Sequence, residues 1–162
     1  HMEHLGHHTI EDYMKIYPNI WNDFYKFCIV RNPWDRVVSC YEYARMPKSY
    51  HHAIAGYSTY GKHPDYDLLQ NATFEECISM LGSGKLKHQG WTTQSSWVVR
   101  DGDFPLDEYL RSEDLGDSYR GVPIQKLNKS KRTNYQEYYN SDTKAIVEDY
   151  YREDLERFTY EF

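Results

Sequence analysis

Arg31 and Ser39 carry the clearest chemistry in the sequence, within the run Phe27-Cys28-Ile29-Val30-Arg31-Asn32-Pro33-Trp34-Asp35-Arg36-Val37-Val38-Ser39. The run reads as a short apolar strand, an arginine at its end, a turn, and a helix with a serine on its second turn. That order suits a phosphate. The strand fixes a guanidinium, which can fork onto two anionic oxygens. The helix start presents free backbone N–H groups and the positive end of the dipole. The serine adds a hydroxyl donor. A second basic group, Lys126, Lys129, Lys131 and Arg132, stands out against an acidic background. His51, His52 and His63 have no cysteine or carboxylate at ligand spacing, so no metal is expected.

The elements that must hold these residues follow from the pattern around them. Phe24 to Val30 is expected to be a buried strand. Asn32 reads as an N-cap and Pro33 as the first helical residue, with the helix running to about Met46 before Pro47 stops it. Asp107 to Arg111 reads as a second core strand, followed by a short helix from Ser112 or Glu113. Strands alternating with helices predict an α/β layer fold with a small parallel sheet, whose ligands bind at the carboxyl ends of the strands. Arg31 and Arg111 both occupy such ends.

Other segments frame that unit. Thr9 to Asp12 forms a capping-box pattern that opens a helix to about Tyr17. Residues 47–70, polar and rich in glycine, proline and tyrosine, read as a functional lid or mobile loop. Thr73 and Glu76 make a further box, and the helix after it is expected to end with Gly82 at C′. Residues 83–107 read as irregular, with a turn at Asp101-Gly102. Thr133 to Gln136 gives another box. Ser141 or Asp142 is expected to cap one last helix with Ile146, Val147, Tyr150, Tyr151, Leu155 and Phe158 on a single stripe.

Composition limits the function classes. The chain has 162 residues, 40% hydrophobic and 27% charged, which suits one globular domain. A net charge of −6 argues against broad nucleic-acid or anionic-membrane binding. Seventeen tyrosines can build a core with polar edges or line a cleft, and Trp91, Gln94 and Trp97 are open to either reading. Cys28, Cys40 and Cys77 lack paired spacing, so reduced thiols and a cytoplasmic location are expected, a lumenal domain of a longer chain being the alternative. No apolar run is long enough to span a membrane and no signal peptide is seen. His1-Met2 reads as an expression remnant, leaving residues 3–162 as the domain.

The run from Val30 to Ser39 resembles the 3′-phosphate-binding motif of PAPS-dependent sulfotransferases, closest to the carbohydrate-type branch. In that family the arginine and serine at these positions hold the 3′-phosphate of the nucleotide. The resemblance extends over nearly the whole chain, in the family's order. Gly6-His7-His8-Thr9 is similar to its histidine-bearing segment and Tyr109 to Leu115 to its Arg-x-Glu-x-Leu strand. Leu127 to Lys131, followed by Tyr135 and Tyr138-Tyr139, is similar to its Asn-x-Ser loop, and Tyr151 to Phe162 to its closing helix. The resemblance implies a three-layer P-loop-like fold, PAPS as sulfuryl donor and a hydroxyl-bearing acceptor such as a carbohydrate or small molecule. It makes His7 or His8 the base. Lys129, Ser130 and Lys131 would close over the nucleotide phosphates. Glu113 is expected to organise the strand end rather than do chemistry, and Arg36 to pair with a carboxylate.

One departure stands out. The family's 5′-phosphosulfate loop, a lysine-bearing glycine-rich turn after an N-terminal strand, does not precede Arg31. Gly82-Ser83-Gly84-Lys85 is superficially similar but follows a helix, so it reads as a helix end. The domain is therefore expected to be an N-terminally truncated version of the fold, and a non-catalytic PAP- or anion-binding relic is the competing function. A nucleotide kinase would need a Walker loop and a Mg²⁺-binding carboxylate, and neither is found.

Overall fold

The computed structural model describes residues 8–48, 61–124 and 132–162. Helix α1 (Ile10–Ile16) starts at the expected capping box: Thr9 Oγ1 accepts from the Asp12 amide at 3.2 Å and the Asp12 carboxylate accepts from the Thr9 amide at 2.9 Å. Strand β1 (Phe27–Val30) is shorter than the sequence suggests: a 3-10 turn at Trp21–Asp23 is followed by irregular backbone over residues 24–26 before the strand begins. Helix α2 (Pro33–Ala44) is capped by Asn32 and ends ahead of Pro47.

β1 pairs in parallel with β2 (Glu108–Arg111), Val30 opposite Arg111. The fold is thus mixed helix and strand around a small parallel sheet of two strands. Two ladder bonds set the direction of every backbone group on β1. The Glu108 amide donates to the Lys26 carbonyl at 3.3 Å and the Ser112 amide to the Val30 carbonyl at 2.7 Å. Backbone groups alternate along a parallel strand, so Lys26, Cys28 and Val30 bond toward β2 while Phe27, Ile29 and Arg31 face the other edge.

β1 is not the buried strand expected. Val30 is 2% exposed, but Phe27 and Ile29 are 44% and 52% exposed, because that face is only partly covered: the rings of Tyr25 and Tyr119 lie 6.5 and 5.2 Å from that of Phe27. The core lies instead among helices. α2 turns Val37, Val38 and Ala44 inward against Ile78 and Leu81 of α4 (Phe74–Gly82) and Val147 of α6 (Ser141–Tyr150). Tyrosines complete this core with their polar tips satisfied: Tyr41 donates to the Ala72 carbonyl at 2.8 Å, Tyr139 to that of Trp34 at 2.9 Å and Tyr151 to that of Trp91 at 2.6 Å.

Several expectations need correction. Residues 49–60 of the supposed lid lie outside the described residues. Beyond them the chain is anchored rather than loose: α3 (Tyr66–Leu69) buries Leu69, and Asp65 is fully buried, accepting from the Lys87 and His88 amides and from Trp91 Nε1. Gly84, not Gly82, is the C′ residue of α4. Its φ of 67° suits glycine, and the Lys85 amide returns to the Met80 carbonyl at 2.9 Å. Trp97 and Val98 belong to a short helix, α5 (Ser95–Val98), and the turn at Asp101-Gly102 follows as expected. No helix forms after β2. A small hairpin, β3 (Ser118–Tyr119) and β4 (Val122–Pro123), stands there, turned by Arg120-Gly121 with positive φ at both. Asn134 rather than Thr133 caps the 3-10 turn Tyr135–Tyr138. The last helix is two: Asn140 caps α6, the backbone breaks at Tyr151, and α7 (Arg152–Phe158) continues. The stripe narrows accordingly, since Ile146 and Tyr150 remain exposed.

Candidate functional site

The strand end and the start of α2 bring the two residues of the motif together. Arg31 Nη1 donates to Ser39 Oγ at 3.2 Å. Asp35 and Ser39 sit one helical turn apart on α2, so both face the guanidinium. Asp35 accepts from Arg31 Nε and Nη2, each at 2.6 Å. Arg132, immediately after the basic loop, donates to the other oxygen of the same carboxylate. Arg31, Ser39, Asp35 and Arg132 therefore form one cluster at the carboxyl end of the sheet.

The backbone of this corner is fixed from both sides. Gln94 Oε1 accepts from the Arg31 amide at 2.8 Å and Gln94 Nε2 donates to the Arg31 carbonyl at 2.9 Å. Asp154, fully buried on α7, holds Gln94 in turn: its carboxylate accepts from the Gln94 and Ser95 amides at 2.7 Å each. On the other side Glu113 accepts from the Asn32 amide at 2.7 Å and from the Tyr160 hydroxyl at 3.0 Å. Glu113 thus organises the junction, as expected of it.

The helix start itself is not free for an anion. The Asn32 side chain accepts from the Trp34 amide at 3.0 Å and from the Asp35 amide at 3.4 Å. Side chains, not helix amides, are the donors this corner offers. Arg111, at the neighbouring strand end, is spent on structure: Nη2 donates to the Phe158 and Thr159 carbonyls, and the guanidinium lies 4.9 Å from the Tyr160 ring centre. Arg36 donates to the Thr92 carbonyl at 2.8 Å rather than pairing with a carboxylate.

His7, Lys129, Ser130 and Lys131 lie outside the described residues. His8 lies at the start of α1, T-stacked on Tyr13, with Nδ1 4.0 Å from Asp12. It lines a cleft of about 390 Å³ with Trp21, Tyr25 and Phe27. That cleft opens at the amino end of β1, so the structure does not bring His8 to Arg31 and Ser39. A neighbouring cleft of about 290 Å³ runs past Ile29, Gln94 and Trp97, and the two share Cys28, Trp97 and Val98. Trp97 is a cleft residue, whereas Trp91 belongs to the core.

Burial pushes the Cys28 thiol up to about 11 and the Cys77 thiol up to about 12, and it raises Cys40 as well. All three stay protonated at neutral pH and none is an activated nucleophile. Among the described residues no three of His, Cys, Asp and Glu gather as a metal site, and no helix is long and apolar enough to cross a membrane. Sequence reasoning missed Gln94 as a clamp, Asp154, and the role of Asp35. Only Asp35 leaves a local signal, being four residues from both Arg31 and Ser39. Comparison with protein-family models, curated proteins and solved structures finds no match to this chain.

Proposed function

We propose that the chain is a sulfotransferase domain of P-loop-like, three-layer α/β fold that binds PAPS and moves its sulfuryl group to a hydroxyl acceptor, a carbohydrate or small molecule. The observation that carries this reading is the 3.2 Å contact between Arg31 Nη1 and Ser39 Oγ at the carboxyl end of a parallel strand. The two side chains would hold the nucleotide's 3′-phosphate. In the transfer, an acceptor oxygen attacks sulfur in line. The new S–O bond forms as the sulfur–oxygen bond to the 5′-phosphate breaks, and PAP leaves. A base takes the hydroxyl proton, with His7 and His8 the candidates, and donors meet the charge on the leaving phosphate. The three unpaired thiols support a reducing, cytoplasmic setting.

A second reading, a PAP- or anion-binding module without transfer activity, is favoured by one observation. Gly82-Ser83-Gly84-Lys85, which superficially resembles a phosphosulfate loop, forms the C-terminal cap of α4. Calorimetry with PAP tests the site common to both readings. The wild-type protein should bind, and Arg31→Ala should weaken binding by about 2 kcal/mol or more, the scale for truncating one partner of a hydrogen-bonded charge pair. Equal affinity in the two proteins would sink both. Labelled PAPS with sugar and phenol acceptors then separates them: turnover selects the enzyme, and binding without turnover selects the module.

A further inference from the structure

We propose that Arg132 is a second guanidinium of the anion site and that Asp35 is the positioning residue that brings it there. The inference rests on the reading of Arg31 and Ser39 as a nucleotide-phosphate site and adds a ligand to it. Asp35 divides its two oxygens between two arginines. Oδ2 takes Nε and Nη2 of Arg31, the side-on edge of that guanidinium, and Oδ1 takes Nη2 of Arg132. A guanidinium carries five donors. On Arg31, Nε and Nη2 reach Asp35 and Nη1 reaches Ser39, and among the described residues no other acceptor takes its remaining hydrogens.

Charge makes the stronger case. The Arg132 side chain is 13% exposed and the Asp35 side chain 17%. A cation so far removed from water needs full compensation. Here its carboxylate is already shared with Arg31, so the pair of arginines holds one positive charge in excess of Asp35. Arg31 is the more open of the two, at 35% exposure, and so the more accessible to a ligand. Any anion meets an excess of one charge, but a phosphate monoester, dianionic once its second proton is lost, is held more strongly by two guanidinium groups than a monoanion and has three terminal oxygens with which to bridge both forks. A carboxylate offers two oxygens and a single charge, and a sulfate ester a single charge. The cluster therefore favours a terminal phosphate group.

The test is PAP binding by calorimetry on the full chain, with melting midpoints as the check on folding. Arg132→Ala should bind PAP at least tenfold more weakly than the wild type at an unchanged melting midpoint. Arg132→Gln, which keeps a stem that can still donate to Asp35, should show the same loss and serves if the alanine variant does not fold. In an Asp35→Asn background the same Arg132→Ala change should cost less than twofold, because the arginine is no longer held in place. Wild-type affinity should rise from about pH 5 to pH 7 as the phosphate gains its second charge, and that rise should shrink without Arg132. Undiminished PAP affinity in a folded Arg132 variant overturns the assignment of Arg132. Equal losses in both backgrounds overturn the positioning role of Asp35. Wild-type protein that does not bind PAP fails at the underlying site instead, a result distinct from either.

Discussion

The two ends of β1 are built on opposite principles. At its carboxyl end, backbone and side chain are tied down together: Gln94 brackets the Arg31 peptide groups, Glu113 takes the Asn32 amide, and Asp35 and Ser39 hold the guanidinium. At its amino end Phe27 stands half exposed beside an aromatic cleft, and Ile29, two residues on, is half exposed as well. The polar fastening there is peripheral, with Tyr25 and Tyr119 both donating to Glu108 at 2.6 and 2.5 Å. Four residues of one strand thus pass from loose apolar surface to a corner in which polar groups are partnered. A corner of that kind keeps an arginine in one place before any ligand arrives, and such pre-organisation is what a binding site needs.

Breaking the fixed end should cost most. Asp154→Ala leaves the Gln94 and Ser95 amides without their acceptor in a buried setting, so chemical denaturation should show a loss of about 3 kcal/mol or more. Gln94→Ala removes the bracket on Arg31 but leaves its amide partly able to find water. A loss of about 1–2 kcal/mol is expected, with PAP affinity falling alongside it because the guanidinium loses its anchor. An unchanged PAP affinity in a folded Gln94→Ala protein would mean that side-chain contacts alone hold Arg31. At the open end Ile29→Thr should change stability by no more than about 0.5 kcal/mol, the range for surface sites. A larger loss would show that this face is covered in solution.

Acid should sharpen the same contrast. Hydrogen bonds from Tyr119 and Tyr25 hold the Glu108 carboxyl below its ordinary value of 4.5. A carboxyl lowered in the folded state contributes stability that is present above the unfolded value and is lost as pH falls through the folded one. The Tyr25–Glu108–Tyr119 clasp should therefore persist from neutral pH to about pH 5 and release below pH 4.5, which near-UV circular dichroism of the tyrosines can follow. The same bond works in the other direction on Tyr25, whose hydroxyl is raised to about 12. Its contribution is present below pH 10 and is lost as pH climbs through 12, so this phenol should ionise late in an alkaline absorbance titration. Release of the tyrosine signal already at pH 6 would break the assignment.

What could be read in the sequence was local. Arg31 and Ser39 are joined across one strand-to-helix turn, and the boxes at Thr9 and Thr73 each close within one turn, so residue type and spacing sufficed to find them. The supports of the site were not legible because they come from far along the chain. Gln94 reaches Arg31 across 63 positions, and Arg132 reaches Asp35 across 97. A glutamine in an irregular stretch carries no mark of a backbone clamp. The break at Tyr151 was hidden for a related reason. No glycine or proline announces it, and the residue leaves helical geometry while its hydroxyl is engaged by the Trp91 carbonyl. Exposure of Phe27 and Ile29 was equally invisible, since apolar β-branched and aromatic residues read as interior whichever side of a sheet is left uncovered.

The amide of Gln94 has one more effect. It meets the outward N–H and C=O of Arg31 as a neighbouring strand would, yet it is a side chain and offers no backbone to carry the ladder onward. Sheet growth along this edge is thereby terminated at one position. A foreign β-segment could template on Phe27 and Ile29 and would find the next rung already filled, so the sticky part of the edge is kept short and away from the arginine.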